Sequence, residues 1–304
     1  MQPWLSILIT YYDEAELLRE CLESVGSIPA GVEVLVHDDC SLRWPARDFV
    51  PDGIHVVRSE RNAGPGPGRN RLLALARGRF VHFHDADDLF LPGFCARIQS
   101  LSEQSSADML ISDMLLRKDG QVEAHALRWV SGVPLLQYLL LPERALLVPC
   151  VTWRRSALQK LGGFDARYQQ SEDFELFLRA ALAGLTVERI ELDLVEVRVR
   201  AQSRSLRISE VYRDALSALR AFETPLREQA ADAASDKTAY VGGLLYRMGE
   251  KQLAFEAFAL SRRLGKPQLA GQSRPYRACA RWFGLPAAEA IRAFQHRFRA
   301  PVQY

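Results

Sequence analysis

Short apolar runs alternate with helix-like stripes over the first two hundred residues, the pattern of βαβ units on a parallel sheet. Residues 5–10 read as a strand, and 14–25 carries Leu17, Leu18, Cys21, Leu22 and Val25 at helical spacing. Residues 32–37 and 54–57 read as strands, and 67–77 as a helix ended by Gly78. The next strand, 80–83, runs straight into His84-Asp85-Ala86-Asp87-Asp88. Pro92 opens another helix, 108–112 reads as a strand, and 171–183 reads as a helix closed by Gly184. Residues 188–199 place apolar Ile190, Leu192 and Leu194 in alternation, then change phase to Val195, Val197 and Val199. That predicts a strand with a bulge. Strand signals stop near residue 205, and 240–264 reads as two helices around Met248-Gly249-Glu250. The expected architecture is an α/β domain over 1–205 and an α-helical region over 206–304.

A chain of 304 residues, 48% hydrophobic and 25% charged, has room for one large domain and a smaller module. That composition excludes disorder and fibrous repeats. Cys21, Cys40, Cys95, Cys150 and Cys279 are widely spaced with no CxxC, which fits a reducing compartment and neither a disulfide framework nor a zinc site. The start has no basic flank or small-residue cleavage site, so no signal peptide is expected. The apolar stretch 129–142 is too short for a bilayer and is broken by Gly132 and Pro134, so it reads as a core helix or buried segment. A cytoplasmic location follows as the expectation.

The net charge of +2 conceals an asymmetry, because residues 260–304 carry a local +8 and leave −6 elsewhere. A solvated helical face is one reading of that tail. The other is peripheral contact with an anionic surface such as the inner face of the membrane, with Trp282, Phe283, Phe294 and Phe298 as the apolar half. No recognised nucleic-acid module accompanies the charge, and no nucleic-acid partner is expected.

Candidate chemistry gathers where strands end, since open α/β sheets bind ligands at their carboxyl edges. Three acidic clusters lie there: Thr10-Tyr11-Tyr12-Asp13-Glu14, Asp38-Asp39-Cys40-Ser41 and Asp85-Ala86-Asp87-Asp88. Crowded acids repel one another, and a cation or a donating ligand would explain them. Asp85 and Asp87 are the natural pair for Mn2+ or Mg2+, which take one or two carboxylates and leave other positions to water and phosphate. A helix cap before Pro92 is the competing reading, but one Asp would suffice for it. The glycines and prolines of 62–70, Asn62-Ala63-Gly64-Pro65-Gly66-Pro67-Gly68-Arg69-Asn70, read as a rigid loop leading Arg69 towards a nucleotide. Gly162-Gly163-Phe164-Asp165 then precedes Ser171-Glu172-Asp173 at a helix start. Ser171 could cap that helix; alternatively Asp173 is a general base for an acceptor hydroxyl.

Taken in order, these motifs resemble the family 2 glycosyltransferases of the GT-A fold, a Rossmann-like, mostly parallel mixed sheet flanked by helices, over about residues 5–199. The resemblance implies a nucleotide-diphosphate sugar donor, UDP-linked as first choice, and a saccharide or lipid-linked acceptor, as in bacterial surface polysaccharide or glycolipid synthesis. By the same resemblance Tyr12 stacks on the base, Asp39 accepts from it, and Arg69 contacts the base or ribose side. Thr10, Asp13 and Asn62 belong to the donor site, Asp85 lies near ribose and sugar, and Asp87 ligates the metal. Asp173, with Glu172 beside it, becomes the base of an inverting transfer. Trp153 is either an acceptor platform or plain core. Two departures stand out: Asp13 where Asn is common, and Cys40 where a Gly or Ala is usual. The competing non-catalytic reading is an inactive scaffold with a helical tail, against which the three separately placed carboxylates Asp85, Asp87 and Asp173 argue.

Overall fold

The computed structural model describes residues 2–118, 120–125, 129, 132–201, 203–269 and 272–297. It divides into two compact units: Met1–Val133 with Ala145–Ser203, and Pro134–Arg144 with Arg204–Tyr304.

In the first unit β1 (Leu5–Tyr11) leads to α1 (Ala15–Val25), β2 (Val32–Asp38), β3 (His55–Arg58), α2 (Pro65–Leu75) and β4 (Phe80–Asp85). These four strands pair in parallel in the order β3-β2-β1-β4. β1 is buried almost throughout, as a central strand covered on both faces must be. Beyond β4 the sheet becomes mixed. A short β5 (Leu89–Phe90) precedes α3 (Phe94–Gln104), then β6 (Met109–Lys118) and β7 (Gln121–His125). The second unit claims the next segment, α4 (Leu135–Leu140), before β8 (Val151–Arg154), α5 (Arg155–Leu161), α6 (Glu172–Leu182) and β9 (Val187–Val199) return to the first. Among the described residues nine strands form one sheet, ordered β3-β2-β1-β4-β8-β6-β9-β5 with β7 beside β6. The alternation of apolar positions in β9 breaks as the sequence predicts: its register against β6 shifts between Ser112 and Met114, opposite residues 190–195.

Three features differ from the sequence reading. β5, β7 and β8 are additional strands, and β6 runs on to Lys118. The glycine-proline segment is not a loop leading to a helix but the first turn of α2 itself, with Pro65 at its opening position. Proline fits there because first-turn amides have no intrahelical acceptor. Gly68 is instead a packing residue: a Cβ there would sit 2.6 Å from His37 Nδ1, so the helix lies directly against β2. The apolar stretch near 129–142 is buried as expected, although residues 130 and 131 lie outside the described set.

In the second unit α7 (Ile208–Ala221), α8 (Glu223–Arg247, broken at Ala230), α9 (Lys251–Leu264), α10 (Arg274–Phe283) and α11 (Leu285–Arg297) join α4. Small residues bring α8 and α9 together. Gly242 faces the Phe258 ring, and Ser235 and Ser261 each donate to the other's backbone carbonyl. The buried Lys237 ammonium donates to the carbonyls of Leu141, Pro142 and Arg144, which closes the end of α4. Among the described residues no helix is long and apolar enough to cross a membrane.

Candidate functional site

The acids at the carboxyl edge have two different fates, and the first group is spent on the protein's own backbone. Asp13 accepts the amides of Leu42, Arg43 and Trp44 at 3.1, 2.8 and 3.0 Å. Burial alone would push its carboxyl up, but these amides outweigh it and hold the group below its ordinary value. Asp38 accepts from Ser41, Ala46 and Arg58. Asp39 accepts the amides of Ala63 and Gly64 and so ties the strand end to the approach of α2. Asp13 and Cys40 adopt φ of 51° and 65°, a region that costs an L-residue about 1–2 kcal/mol. A glycine at either position would avoid that cost.

A second group converges on Arg69, which α2 delivers 3% exposed. Its Nη2 donates to Asp85 Oδ1 at 2.6 Å and its Nη1 to Glu172 Oε1 at 2.8 Å, while the Phe164 ring lies 5.3 Å from the guanidinium carbon. Thr10 Oγ1 donates to the same Asp85 oxygen at 3.1 Å. The next residue fixes the facing loop: Asn70 Nδ2 donates to the Phe164 carbonyl and its Oδ1 accepts the Phe164 amide. Burial would raise the Asp85 carboxyl, but the Arg69 charge and hydrogen bond hold it low. Asp173 lies on the same helix turn as Glu172, and among the described residues no arginine pairs with it. Burial first and the neighbouring Glu172 charge second push its carboxyl up to about 7.

Asp87 sits at the turn after β4. Because β5 continues from that turn and pairs antiparallel with β9, the end of β9 is brought alongside. Arg200 Nη2 donates to Asp87 Oδ2 at 2.8 Å, and Arg200 also bridges both Glu14 oxygens at 2.7 and 2.9 Å. Arg198 donates from Nε to the Asp87 carbonyl and from its amide to Asp88 Oδ1 at 2.9 Å. Sequence reasoning missed both arginines. Their signal was present, because Arg198 lies between Val197 and Val199 and Arg200 follows in the same polar phase, but that phase reads equally as a solvent face. Burial and then the Asp85 charge push the Asp87 carboxyl up, against the Arg200 hydrogen bond.

Motif order and geometry thus agree over the first half of the chain, and residues 6–162 match the family model for glycosyl transferase family 2. The chain belongs to that family. It is 28% identical over 327 residues to the succinoglycan biosynthesis protein ExoO of Rhizobium meliloti strain 1021, covering 99% of this chain and 90% of that one. The fold is similar to S. aureus TarS 1-349 in complex with UDP-GlcNAc, with a TM-score of 0.70 at 17% identity over 100% of this chain and 95% of TarS. It is also similar to the mannosyltransferase PcManGT of Pyrobaculum calidifontis in complex with GDP-Man and Mn2+, at 0.58 and 18%, over 98% and 88%. The architecture is therefore GT-A, with a helical C-terminal region.

Within this family 2 enzyme the remaining site residues are placed as follows. The Tyr12 ring is 46% exposed at the end of β1, and Asn62 is exposed before α2. Arg69, Asp39 and Asp13 are committed to protein partners. Trp153 lies 1% exposed in β8 with its ring stacked on Phe177, so its position fits the core alternative and presents no face to a sugar. A hollow of about 320 Å³ lined by Trp4, Arg79 and Ser102 lies at the opposite end of the strands and holds none of these acids. Among the described residues no three carboxylates, imidazoles or thiols form a closed metal cage. The donor set still fits magnesium or manganese, which need only one or two carboxylates when phosphate oxygens complete the shell. Asp87 is part-exposed, is raised by its acidic neighbour, and already holds a cationic group.

Removing the central guanidinium tests the network. Arg69→Met leaves two carboxylates facing each other without a cation and is expected to cost about 3–5 kcal/mol. Arg69→Lys keeps the charge but cannot bridge both acids and should fall between parent and Met. Urea unfolding of the three proteins measures this; an Arg69→Met protein as stable as the parent would refute the bridging role.

Proposed function

We propose that the chain is an inverting glycosyltransferase that moves a sugar from a nucleotide-diphosphate donor, UDP-linked as first choice, onto an acceptor hydroxyl. The Asp173 carboxyl carries the reading. A base works best with its pKa near the working pH, and this group is raised to about 7 beside the Arg69–Asp85–Glu172 network. Asp173 takes the proton of the acceptor hydroxyl as its oxygen attacks the anomeric carbon. The bond from that carbon to the diphosphate oxygen breaks as the new one forms, and configuration inverts.

Around this step Tyr12 offers its exposed ring to the base, and Asp39 accepts from the base with the lone pairs its backbone partners leave free. Asn62, Asp13 and Thr10 shape the donor pocket, and Asp85 faces ribose and sugar under Arg69's control. Glu172 positions Asp173 and the guanidinium together. Asp87, with Asp85 near it, would hold Mn2+ or Mg2+, which supplies charge neutralisation on the departing diphosphate. The ExoO likeness supports a saccharide or lipid-linked acceptor in polysaccharide synthesis.

Peripheral contact with the inner face of the membrane completes the reading. It is supported by α10, where Trp282 and Phe283 are 78% and 77% exposed beside exposed Arg274, Arg277 and Arg281, with no acid on the helix. Phe298, expected to join them, lies outside the described residues.

Four measurements test these statements. Calorimetric titration of nucleoside diphosphates should give Mn2+-dependent binding of one of them, weakened at least about tenfold by Asp87→Ala. Binding indifferent to metal and to Asp87 would defeat the metal assignment. The rate kcat/KM should fall about tenfold per pH unit below about 7, and Asp173→Asn should lose about 10²–10⁴ and the pH dependence with it. Because the folded carboxyl is raised, its contribution to stability is full at low pH and fades as pH rises through about 7. Asp173→Asn should therefore melt no lower than the parent at pH 8, and a large loss there would mark a structural role instead. Finally, sedimentation with phosphatidylglycerol vesicles should exceed that with phosphatidylcholine, falling with salt and with Trp282→Ala/Phe283→Ala. Equal sedimentation with both lipids would remove the anionic contact.

A further inference from the structure

The Asp87 carboxylate meets a cation before any ligand arrives, and that cation belongs to the chain. Arg200 reaches Asp87 Oδ2 at 2.8 Å from one terminal nitrogen while both terminal nitrogens bond Glu14 at 2.7 and 2.9 Å. Its side chain is 26% exposed, whereas that of Arg69 is 4% exposed and held between two acids. The Arg200 Nε is buried with no partner. Arg198 anchors the strand just before it to Asp87 and Asp88 through backbone and side chain, so the base of Arg200 is fixed and only its outer atoms have somewhere to go.

A divalent cation and a guanidinium compete for one carboxylate, since each repels the other at ion-pair distance. A diphosphate changes that balance. It gives the guanidinium a second, bidentate partner and gives the metal oxygen ligands, so the two cations no longer need the same oxygen. Resting on the nucleotide-sugar reading above, we propose that Arg200 is a resident counter-cation of Asp87 that opposes metal binding in the nucleotide-free enzyme and turns onto the donor diphosphate when it binds. Metal and nucleotide then load together, and free Mn2+ alone loads poorly. Glu14 is the holder that keeps Arg200 within reach of both positions.

The test follows Mn2+ through the loss of its free-ion electron paramagnetic signal on binding, with UDP and GDP as nucleotide probes. In the parent, Mn2+ alone binds weakly and UDP or GDP tightens it. Arg200→Gln is expected to raise nucleotide-free Mn2+ affinity about tenfold and to lower metal-free nucleotide affinity about tenfold, the worth of a strong charge-assisted contact. Arg200→Lys should lie between them. Glu14→Gln removes the holder while leaving the cation on Asp87, so it should not raise nucleotide-free Mn2+ affinity. Nucleotide binding by the parent with no change of Mn2+ affinity in Arg200→Gln overturns this proposal alone. Failure of the parent to bind either nucleotide overturns it together with the nucleotide-sugar reading.

Discussion

One buried guanidinium holds the acidic edge together. Arg69 comes from α2, Asp85 from the end of β4 and Glu172 from the start of α6, separated by 16 and 103 residues from the arginine. A buried carboxylate with no partner costs several kcal/mol, so the enclosed Glu172 depends on Arg69, which also anchors the half-buried Asp85. The helix must therefore lie close to the sheet. Gly68 provides that by leaving no Cβ against His37, and Asn70 completes it by gripping the Phe164 backbone on the opposite wall. The conformational strain at Asp13 and Cys40 is carried in the same way: the three amides on Asp13, and the two on Asp39 next to Cys40, over-determine the loops.

Because so many of the strand-end acids are committed, few are left for ligands, and their positions are fixed in advance. Asp13, Asp38 and Asp39 are held by backbone amides and Arg58, which fixes the loops they stand in before any ligand arrives. A preorganised edge keeps reorganisation at the reacting centre small, which is where electrostatic catalysis gains most. The acid left without a guanidinium, Asp173, has the perturbed carboxyl. The Arg69 charge and hydrogen bond suppress the Asp85 pKa, whereas burial first and the Glu172 charge second raise that of Asp173. Two carboxylates near one guanidinium acquire opposite character because only one of them holds it directly.

Much of this was legible in the chain itself. Apolar runs ending in Asp-rich segments marked the carboxyl edge, where such crowding needs donors or cations; backbone amides meet it at Asp13 and Asp39, and Arg69 meets it at Asp85. The phase change within 188–199 marked the bulge. What stayed hidden depends on distance in sequence. Arg198 and Arg200 have only an ambiguous local mark, because a period-two strand always has a polar phase and only the β5–β9 pairing shows what that phase faces. β8 is only four residues long, too short for alternation to declare it. The helical first turn of α2 was masked by its own glycines and prolines, which suit a loop equally well until packing against His37 decides. Nor could local pattern assign α4 to the second unit, where the ammonium of Lys237 closes it from 93 to 96 positions away.

The two arginines of the edge illustrate how exposure divides structural from responsive charge. Arg69 is 4% exposed and its partner Glu172 10%, so exchanging its donors for a ligand would strand a buried cation and a buried anion, although Asp85 itself is 32% exposed. Arg200 is 26% exposed and its holder Glu14 43%, so releasing a partner costs it less. A guanidinium in the first position fixes geometry; one in the second can answer a new anion. The edge is then negative where it is rigid and adjustable where it is open. That is the distribution a diphosphate, itself an anion, needs if it is to enter an acidic site.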